Sequence, residues 1–392
     1  GGTSRIVRGV EQGLGDGAGN LRNGLRDGGF YSVRPIGTVE QVEVLKGPAS
    51  VLYGALEPGG VINLTTRQPL SEPFYEFSFE AGNNSRYEPS LDFTGPITED
   101  DTLRYRLITG YQVSDGIQNF IETDLFTLAP SVTWNISERT RLNAYYEYAN
   151  FSGDPSLDNS PVLSDGSFLP RSLYPAYPEF SSQDISTNRV GYTLNHELSD
   201  SWQIRNGLAI SLNQFEDNRA FPGGIQHDTT LTGFSAFDLD YSYNNYFAQV
   251  DLIGEFETGS LSHQLLAGFD FNYYRFDYQG FANFTDLPPL DINNPNYAVA
   301  PPQLVPFLQN DETIESYGVY LQDQIDIGEN FKLLVGGRYD WVSYENEIAD
   351  FGILGNTVDD PIQTDGAFSP RVGLVYQPSD RLSLYASYSR SF

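Results

Sequence analysis

The residue types that usually carry catalysis are scarce in this chain, and their spacing does not favour it. The three histidines, His196, His227 and His263, lie far apart in the sequence, and cysteine is absent. The sequence contains neither a Gly-x-Ser-x-Gly turn, which would expose a serine nucleophile, nor a His-Glu-x-x-His zinc motif. Lys46-Gly47 has the reverse order of the Gly-Lys pair in a phosphate-binding loop. We therefore expect no catalytic residues and no enzyme activity.

Acidic side chains are abundant, but their spacing does not predict a metal site. The acidic segments 154–165 and 359–361 lack the ligand spacing of an EF-hand. Separated histidines are usually structural residues. We expect neither a resident metal nor a cofactor, and we interpret the acidic segments as solvated loops; cation binding by these loops is the alternative.

The composition excludes several classes of partner. The chain has 52 Asp and Glu against 22 Lys and Arg, and a formal net charge of −30. Nucleic acid is excluded because its phosphates require clustered basic side chains. No apolar run is long enough for a transmembrane helix. Aromatic residues make up 14% of the chain, with 26 Tyr and 26 Phe, and such residues are typical of the two girdles of a membrane barrel.

Alternation of apolar and polar residues dominates the chain from about Phe74 onward. Leu103, Tyr105 and Leu107, for example, alternate with Arg104 and Arg106. Short polar turns, such as 137–140, alternate with longer connections, which the sequence places at 154–183, 217–237, 281–310 and 346–366. A soluble β-sandwich also alternates, but only outer-membrane barrels have a reason to sort their connections in this way. About thirteen strands can be counted.

A different unit precedes these strands. Val42 and Val44 alternate with polar residues and predict a strand at 39–46. Pro48 suits the first turn of a short helix, and Gly54 suits its end. The turn at 57–60 then leads into a second alternating strand, so that this stretch predicts a strand–helix–turn–strand unit.

Residues 43–63 resemble the end of the plug domain of TonB-dependent outer-membrane receptors, most closely the ferric-siderophore branch. The shared pattern is an acidic strand, then Leu-(Arg/Lys)-Gly-Pro-x-Ser-x-Leu-Tyr-Gly, then Pro-Gly-Gly-x-x-Asn. Arg8-Gly9 and segment 23–29 resemble the plug of this family as well. The resemblance implies structural roles in the plug for Glu43, Lys46, Gly47, Pro48, Tyr53, Gly54, Pro58, Gly59, Gly60 and Asn63.

The predicted fold class is an all-β transmembrane barrel of antiparallel strands with a small α/β plug domain inside the lumen. We place the C-terminal part of the plug at 1–70 and the N-terminal part of the barrel at 71–392. Barrels wide enough to hold a plug have about 22 strands, and unpaired strand edges in lipid are costly. We therefore expect a truncated barrel and a chain that is part of a longer protein, as the absence of methionine also indicates.

The resemblance implies a transporter that takes up a ferric siderophore across the outer membrane of a Gram-negative-type bacterium. Its expected partners are TonB, bound through a segment upstream of Gly1, and the surrounding lipid and lipopolysaccharide; we expect a monomer. Vitamin B12, haem, nickel and sugar are the alternative ligands within the family. A passive plugged porin or adhesin and an outer-membrane esterase are alternatives of other classes. A plug domain would block diffusion through a passive pore, which argues against the porin. The missing nucleophile motif argues against the esterase.

The resemblance also implies five candidates for ligand contact: Arg8, Phe30, Tyr31, Phe221 and Phe281. Arg8 has the position of an arginine that reaches the iron chelate from the top of the plug. Phe30 and Tyr31 follow the Asn-Gly-Leu segment where family members expose aromatic residues. Phe221 and Phe281 lie in long loops, as Phe284 does, where hydroxamate-siderophore receptors have ligand-facing aromatic residues. An internal ion pair is the alternative for Arg8, and burial in the plug core is the alternative for Phe30 and Tyr31.

Two positions depart from the family pattern. Lys46 replaces the usual arginine and cannot form the bidentate carboxylate pair that arginine forms. Arg390 stands in a strand where family members often have glutamate. The sequence therefore gives no basis for a plug-to-barrel ion lock at Arg390.

Overall fold

The computed structural model describes residues 5–7, 10–12, 20–29, 32–46, 60–154, 161–284, 287–351, 358–379 and 381–390. Most of these residues belong to β-strands, which form a four-stranded sheet, a thirteen-stranded sheet and two small sheets of two and three strands. Within the described ranges, no helix has the length and apolar character needed to cross a membrane.

The four-stranded sheet is formed by the early part of the chain. After a pair of short strands, β1 (Arg5–Val7) and β2 (Val10–Gln12), it contains β3 (Asn20–Arg22), β4 (Leu25–Arg26), β5 (Val39–Lys46) and β6 (Gly60–Thr66), in the order β4-β3-β6-β5. β5 and β6 are the two strands that the alternation predicts, and they pair antiparallel, whereas β3 is parallel to β6 over three residue pairs. Asn23 and Gly24 have φ angles of 52° and 80°, which the tight β3–β4 turn requires. The helix predicted at 49–53 lies outside the described residues.

The thirteen-stranded sheet is antiparallel throughout, and strands that follow one another along the chain are neighbours within it. Its strands are β7 (Phe74–Ala81), β8 (Tyr87–Pro96), β9 (Leu103–Asp115), β10 (Glu122–Ser137), β11 (Thr140–Gly153), β12 (Ser182–Ser199), β13 (Trp202–Phe221), β16 (Ser235–Thr258), β17 (Leu261–Asn283), β19 (Val305–Ile327), β20 (Phe331–Asp350), β21 (Val358–Ser379) and β22 (Leu382–Ser389). The small strands β14 (Gly224–Gln226), β15 (Thr230–Thr232) and β18 (Leu290–Asp291) pair with one another in the connections. The predicted number of strands is confirmed.

The two faces of this large sheet have opposite chemistry. On one face polar side chains are buried; Thr133, Asn213 and Asp251 are 0%, 1% and 1% exposed. On the other face large apolar side chains are exposed, with Phe77 at 67% and Leu321 at 55%. A sheet in water would bury its apolar face, whereas a barrel wall presents that face to lipid. The apolar face is therefore the lipid face, and the polar face lines the lumen.

Aromatic side chains mark both borders of the lipid face. On β16 these are Tyr246 and Phe256, and on β20 they are Trp341 and Phe331; each pair bounds eleven residues, counted inclusively. Tyr246 packs on Tyr273 of the next strand with ring centroids 5.9 Å apart. A tilted membrane strand needs about 9–11 residues, so these residues form the two girdles of a membrane-spanning band.

Short and long connections alternate along the large sheet, as the sequence predicts. Two-residue turns at 138–139, 200–201 and 259–260 join strands at one end. At the other end the connections are longer, at 154–181, 222–234 and 284–304. These two-residue turns therefore lie at one end of the sheet, and these three long connections lie at the other.

The long connections are shorter than the sequence suggested in three of four cases. β13 continues to Phe221, β17 continues to Asn283, and β20 and β21 together occupy most of the predicted loop 346–366. Beyond the girdle both faces of a strand are in contact with water or with other loops. The alternation of apolar and polar residues is lost there, although the backbone hydrogen bonds between the strands continue. The sequence pattern therefore predicts loops where the structure has strand ends.

Three of the long connections pack on one another. Tyr174, Leu231 and Leu290, one from each connection, are all at most 1% exposed and belong to one apolar cluster. The Tyr177 hydroxyl donates to the Pro288 carbonyl over 2.5 Å, and the Tyr297 hydroxyl donates to the Tyr174 carbonyl over 3.0 Å. Burial raises the pKa of Tyr174 to about 12. These loops form a joint structure rather than separate hairpins.

Candidate functional site

The four-stranded sheet lies against the lumen face of the large sheet. Leu25 of β4 packs on Ala209 and Phe247, which belong to β13 and β16. The Gly28 N–H donates to Asn245 Oδ1 over 3.3 Å. The small sheet therefore contacts the wall through both apolar packing and polar groups.

A buried chain of charges joins the two sheets. Arg22 of β3 donates to Glu147 and, over 3.1 Å, to Thr38 Oγ1. Arg189, the register partner of Glu147, donates from Nη1 to Glu147 Oε1 over 2.9 Å and from Nε to Asp27 Oδ1 over 2.8 Å. The four charged side chains are 2–3% exposed. Breaking one pair would leave a charge buried without its partner, so this network holds the small sheet in place.

Arg34 adds a further cation to this network. Its Nε donates to Asp27 Oδ2 over 3.0 Å. Burial alone would raise the pKa of Asp27, but Arg189, Arg34 and Arg22 outweigh burial and hold that pKa well below its ordinary range. Asp27 is therefore ionised at neutral pH and attracts all three arginines.

A second buried cluster lies in the wall of the lumen. Arg338 donates to both carboxylate oxygens of Asp270, over 2.5 and 2.8 Å, and to Asp340 over 2.7 Å. Its guanidinium also lies 5.2 Å from the centre of the Tyr320 ring, and the Tyr320 hydroxyl donates to Asp251 over 2.5 Å. This cluster connects β16, β17, β19 and β20 across the lumen face.

The side-chain amide of Asn63 joins residues of the plug motif to one another. Asn63 Nδ2 donates to Glu43 Oε2 over 2.8 Å, and Asn63 Oδ1 accepts from the Gly24 N–H over 3.0 Å. Asn63 thus joins β5, β6 and the β3–β4 turn. The segment that leads from β6 to the large sheet is bonded to that sheet as well. Arg67 of this segment and Arg106 of β9 both donate to Asp92 of β8, over 3.0 Å and 2.6–2.8 Å.

Aromatic side chains line the lumen outward from the level of the plug. Neighbouring ring centroids in the deeper group are 4.6–6.3 Å apart. This group consists of Phe215, Tyr241, Tyr243, Phe276 and Tyr278.

An outer aromatic group continues this line toward the ends of the strands. Phe237 lies at its centre, 5.2 Å from Phe221 and 5.6 Å from both Phe284 and Phe307 between ring centroids. Phe307 reaches Tyr278 of the deeper group at 6.4 Å. We call the nine residues of both groups the aromatic column. Phe221 and Phe284 are 37% and 45% exposed, so the outer part of the column is accessible.

The residues predicted for ligand contact fall into two sets. Arg8, Phe30 and Tyr31 lie outside the described residues, as do Gly47, Pro48, Tyr53, Gly54, Pro58 and Gly59 of the plug motif. Phe221 belongs to the aromatic column. On β17, Tyr278, Gly280 and Ala282 share one face of the strand, which is the lumen face. Phe281 occupies an alternate position and therefore lies on the opposite face.

Sequence reasoning missed the buried ion network. Its members lie 125 and 162 positions apart along the chain for the pairs Arg22–Glu147 and Asp27–Arg189. One signal was available: Glu147 and Arg189 both occupy polar positions of alternating strands, where charge cannot face lipid. In the described parts of the chain, no group of His, Asp and Glu is arranged to hold a metal ion.

The fold and the site define a membrane-spanning β-barrel wall with a small domain bound in its lumen, in other words a plugged barrel. A family model described as "TonB dependent receptor-like, beta-barrel" matches residues 131–392, and one described as "TonB-dependent Receptor Plug Domain" matches residues 1–61. The chain belongs to the TonB-dependent receptor family. It is an outer-membrane protein of a Gram-negative bacterium, and its family consists of transport receptors.

Individual relatives agree with this membership. The chain is 29% identical over 370 residues to the metal-pseudopaline receptor CntO of Pseudomonas aeruginosa, covering 93% of this chain and 52% of that protein. It is 30% identical over 367 residues to the ferrioxamine B receptor of Salmonella typhimurium, covering 90% and 50%. The chain thus spans about half the length of these relatives.

Solved structures agree on the fold. The siderophore receptor PiuA of Acinetobacter baumannii matches with a TM-score of 0.86 at 21% identity, over 99% of this chain and 58% of that chain. The open form of the ferric-catecholate import receptor Fiu of E. coli K12 matches with a TM-score of 0.84 at 21% identity, over 99% and 64%.

Proposed function

We propose that the protein containing this chain takes up a ferric siderophore through the outer membrane and catalyses no reaction. The observation that carries this proposal is the aromatic column, which opens outward above a plug that is ionically bound to the barrel. Such an arrangement can hold an organic chelate while the pore stays closed. The names of two relatives, a ferrioxamine B receptor and a metal-pseudopaline receptor, support a metal chelate as the ligand.

The energy for uptake would come from TonB, acting through a segment upstream of Gly1. We propose a monomer surrounded by lipid and lipopolysaccharide, with no cofactor. We place the boundary between plug and barrel at 70/71, between the end of β6 and the start of β7. Arg8, Phe30 and Tyr31 stay predictions for ligand contact from the plug side.

The long loops are proposed to face the exterior and the tight turns the periplasm. Because the chain has no cysteine, single cysteines can report this orientation. Positions 165, 288, 138 and 200 are all exposed. A membrane-impermeant maleimide applied to intact cells is expected to label Asp165→Cys and Pro288→Cys but not Glu138→Cys or Asp200→Cys. All four should react after the cells are broken. Equal labelling of both sets on intact cells would contradict the orientation.

Ligand binding in the column is tested by removing its central ring. Phe237→Ala is expected to weaken binding of a ferric trihydroxamate by roughly tenfold or more, because truncating a buried aromatic contact typically costs about 2 kcal/mol. Binding is measured with the protein expressed from its complete gene and purified in detergent.

Phe281→Ala is the matched variant for this measurement. It removes the same side chain on the neighbouring strand, where Phe281 pairs with Asp238, the residue that follows Phe237. A loss confined to Phe237→Ala would place the ligand on the lumen face. A loss confined to Phe281→Ala would move the site to the opposite face and contradict binding in the column. The ferric and zinc forms of the chelate are compared as well, since one relative is named only for a metal complex.

A further inference from the structure

The lumen face of β13 carries an ion pair between two residues of the aromatic column. Phe215, Asp217, Arg219 and Phe221 occupy every second position of this strand and therefore share its lumen face. Phe215 belongs to the deeper group of the column and Phe221 to the outer group. The ion pair of Arg219 with Asp217 thus lies at the boundary between the two groups.

The register of the sheet places Arg219 beside the centre of the outer group. Its partner on β16 is Phe237, and the partner of Asp217 is Leu239. Directly paired residues of antiparallel strands have Cβ atoms about 4.5–5.5 Å apart. A ligand that contacts the Phe237 ring is therefore close to the Arg219 side chain.

Asp217 orients the guanidinium of Arg219 but does not saturate it. The Asp217 side chain is 1% exposed, whereas the Arg219 side chain is 27% exposed. The pair forms through Arg219 Nη2, and Arg219 Nε has no hydrogen-bond partner among the described residues. A guanidinium has five N–H donors in a fixed fork. The buried carboxylate thus holds this fork in one orientation, and part of the fork is open to the lumen.

Arg219 is the cation that the wall offers beside the outer group. Column residues belong to or follow β13, β16, β17 and β19, and beyond the outer girdle these four strands contain two basic side chains, Arg219 and Arg275. Arg275 directly precedes Phe276 of the column and therefore lies on the face away from the lumen. In the sequence of the three packed connections the one basic residue is Arg171, which is exposed.

The outer group itself consists of phenylalanine, which has no hydrogen-bond donor in its side chain. In a ferric hydroxamate or catecholate each chelating group has lost its proton to bind the metal, and its oxygens carry negative charge. In the metal-free chelator the same groups are protonated at neutral pH. Hydrogen bonds to charged oxygens are stronger than those to neutral ones. A guanidinium beside the rings can therefore distinguish the loaded chelate from the empty one.

We propose that Arg219 gives the site its preference for the metal-loaded chelate by donating hydrogen bonds to the metal-bound oxygens, with Asp217 as the positioning residue. The inference rests on the proposed function, because it assigns a role within the same ligand site. The rings of the column contact the organic part of the chelate in both forms, so they contribute to the affinity for both.

Neutralising the whole pair tests this role. Asp217→Asn with Arg219→Gln keeps the net charge and leaves no buried charge without its partner. The complete receptor in detergent is offered a linear ferric trihydroxamate and a ferric tricatecholate, and the tighter ligand is used. We expect the double variant to bind the ferric form roughly tenfold or more weakly, as for loss of a hydrogen bond to a charged group. Its affinity for the metal-free form, measured by competition, should change little. Arg219→Lys keeps the charge but not the fork and should have an intermediate ratio of the two affinities.

An ion pair on β17 provides the matched control. Arg275 and Asp277 are also two residues apart and pair over 2.7 Å, but on the face away from the lumen. Arg275→Gln with Asp277→Asn is expected to leave the ratio of the ferric and metal-free affinities unchanged. An equal fall of this ratio in both double variants would overturn the role of Arg219. A loss of affinity for both forms alike in the Asp217–Arg219 variant would show a structural pair and overturn it as well.

The unaltered receptor separates failure of this inference from failure of the proposed function. If it binds one of the two ferric ligands tightly and the Asp217–Arg219 variant keeps the same ratio, the protein is still a siderophore receptor but Arg219 does not recognise the metal-bound oxygens. Equal affinity of the unaltered receptor for the ferric and metal-free forms would overturn the inference in the same way. No binding of either ferric ligand would overturn the proposed function and the inference with it.

Discussion

Replacing Glu147 by alanine is expected to loosen the plug by about 3–5 kcal/mol, the usual cost of removing one partner from a buried ion pair. Glu147 accepts from Arg22 on the plug and from Arg189 on the neighbouring strand. Without it, three arginines would remain around Asp27 alone. The measurement is the urea concentration at which a protease begins to cleave the plug in the complete receptor. Entry of a large antibiotic into cells reports the same loosening.

Two variants make this experiment decisive. Glu147→Gln keeps the shape and the hydrogen-bonding oxygen but not the charge, and an intermediate effect is expected. Arg139→Ala breaks the Arg139–Asp200 ion pair, in which the side chains are 53% and 94% exposed, and it should change stability by less than about 1 kcal/mol. If Glu147→Ala and Arg139→Ala shift the urea midpoint equally, the buried network does not hold the plug.

The second large effect on stability is expected from Gly318→Ala, which adds a single methyl group. A Cβ on Gly318 of β19 would overlap the guanidinium of Arg338. Gly318→Ala must therefore displace a side chain that is 2% exposed, together with its bonds to Asp270 and Asp340. Loss of a buried pair of this kind costs about 3–5 kcal/mol. The fraction of heat-modifiable, folded barrel at increasing urea measures the effect.

A glycine from the same sheet provides the control for Gly318. A Cβ on Gly373 would meet its nearest neighbour, the Leu334 Cβ, at an ordinary 3.6 Å, so Gly373→Ala is expected to be nearly neutral. Placing Gly318→Ala in an Arg338→Met background should remove most of its cost, because the flexible methionine can avoid the new methyl group. An unchanged cost in that background would show that the overlap with Arg338 is not the cause.

The sequence predicted the barrel wall well because lipid and lumen impose opposite demands on neighbouring residues. The alternation of Leu103, Tyr105 and Leu107 with arginines places each side chain on its face without knowledge of any partner. Outside the lipid band this constraint ends. Strand ends such as that of β17 could not be distinguished from loops in the sequence, because backbone hydrogen bonds hold them and these leave no pattern of side chains.

The site was less accessible to sequence reasoning. The plug motif indicated a domain in the lumen but did not show which wall residues bind it. Arg22 and Glu147 meet only because the register of β11 and the position of β3 bring them together. Of the nine residues of the aromatic column, only Phe221 and Phe284 were anticipated. In a chain with 26 Phe and 26 Tyr, the frequency of aromatic residues does not show which of them face the lumen and which face the lipid.

The length of the strands has a consequence for the part of the barrel outside the membrane. On β16, residues 235–245 lie beyond the outer girdle at Tyr246, and eleven tilted strand residues rise roughly 25–30 Å above the hydrocarbon. The barrel wall thus continues beyond the hydrocarbon for about the thickness of the hydrocarbon itself. A molecule that passes the outer rim of this wall is therefore enclosed by the barrel well before it reaches the level of the hydrocarbon.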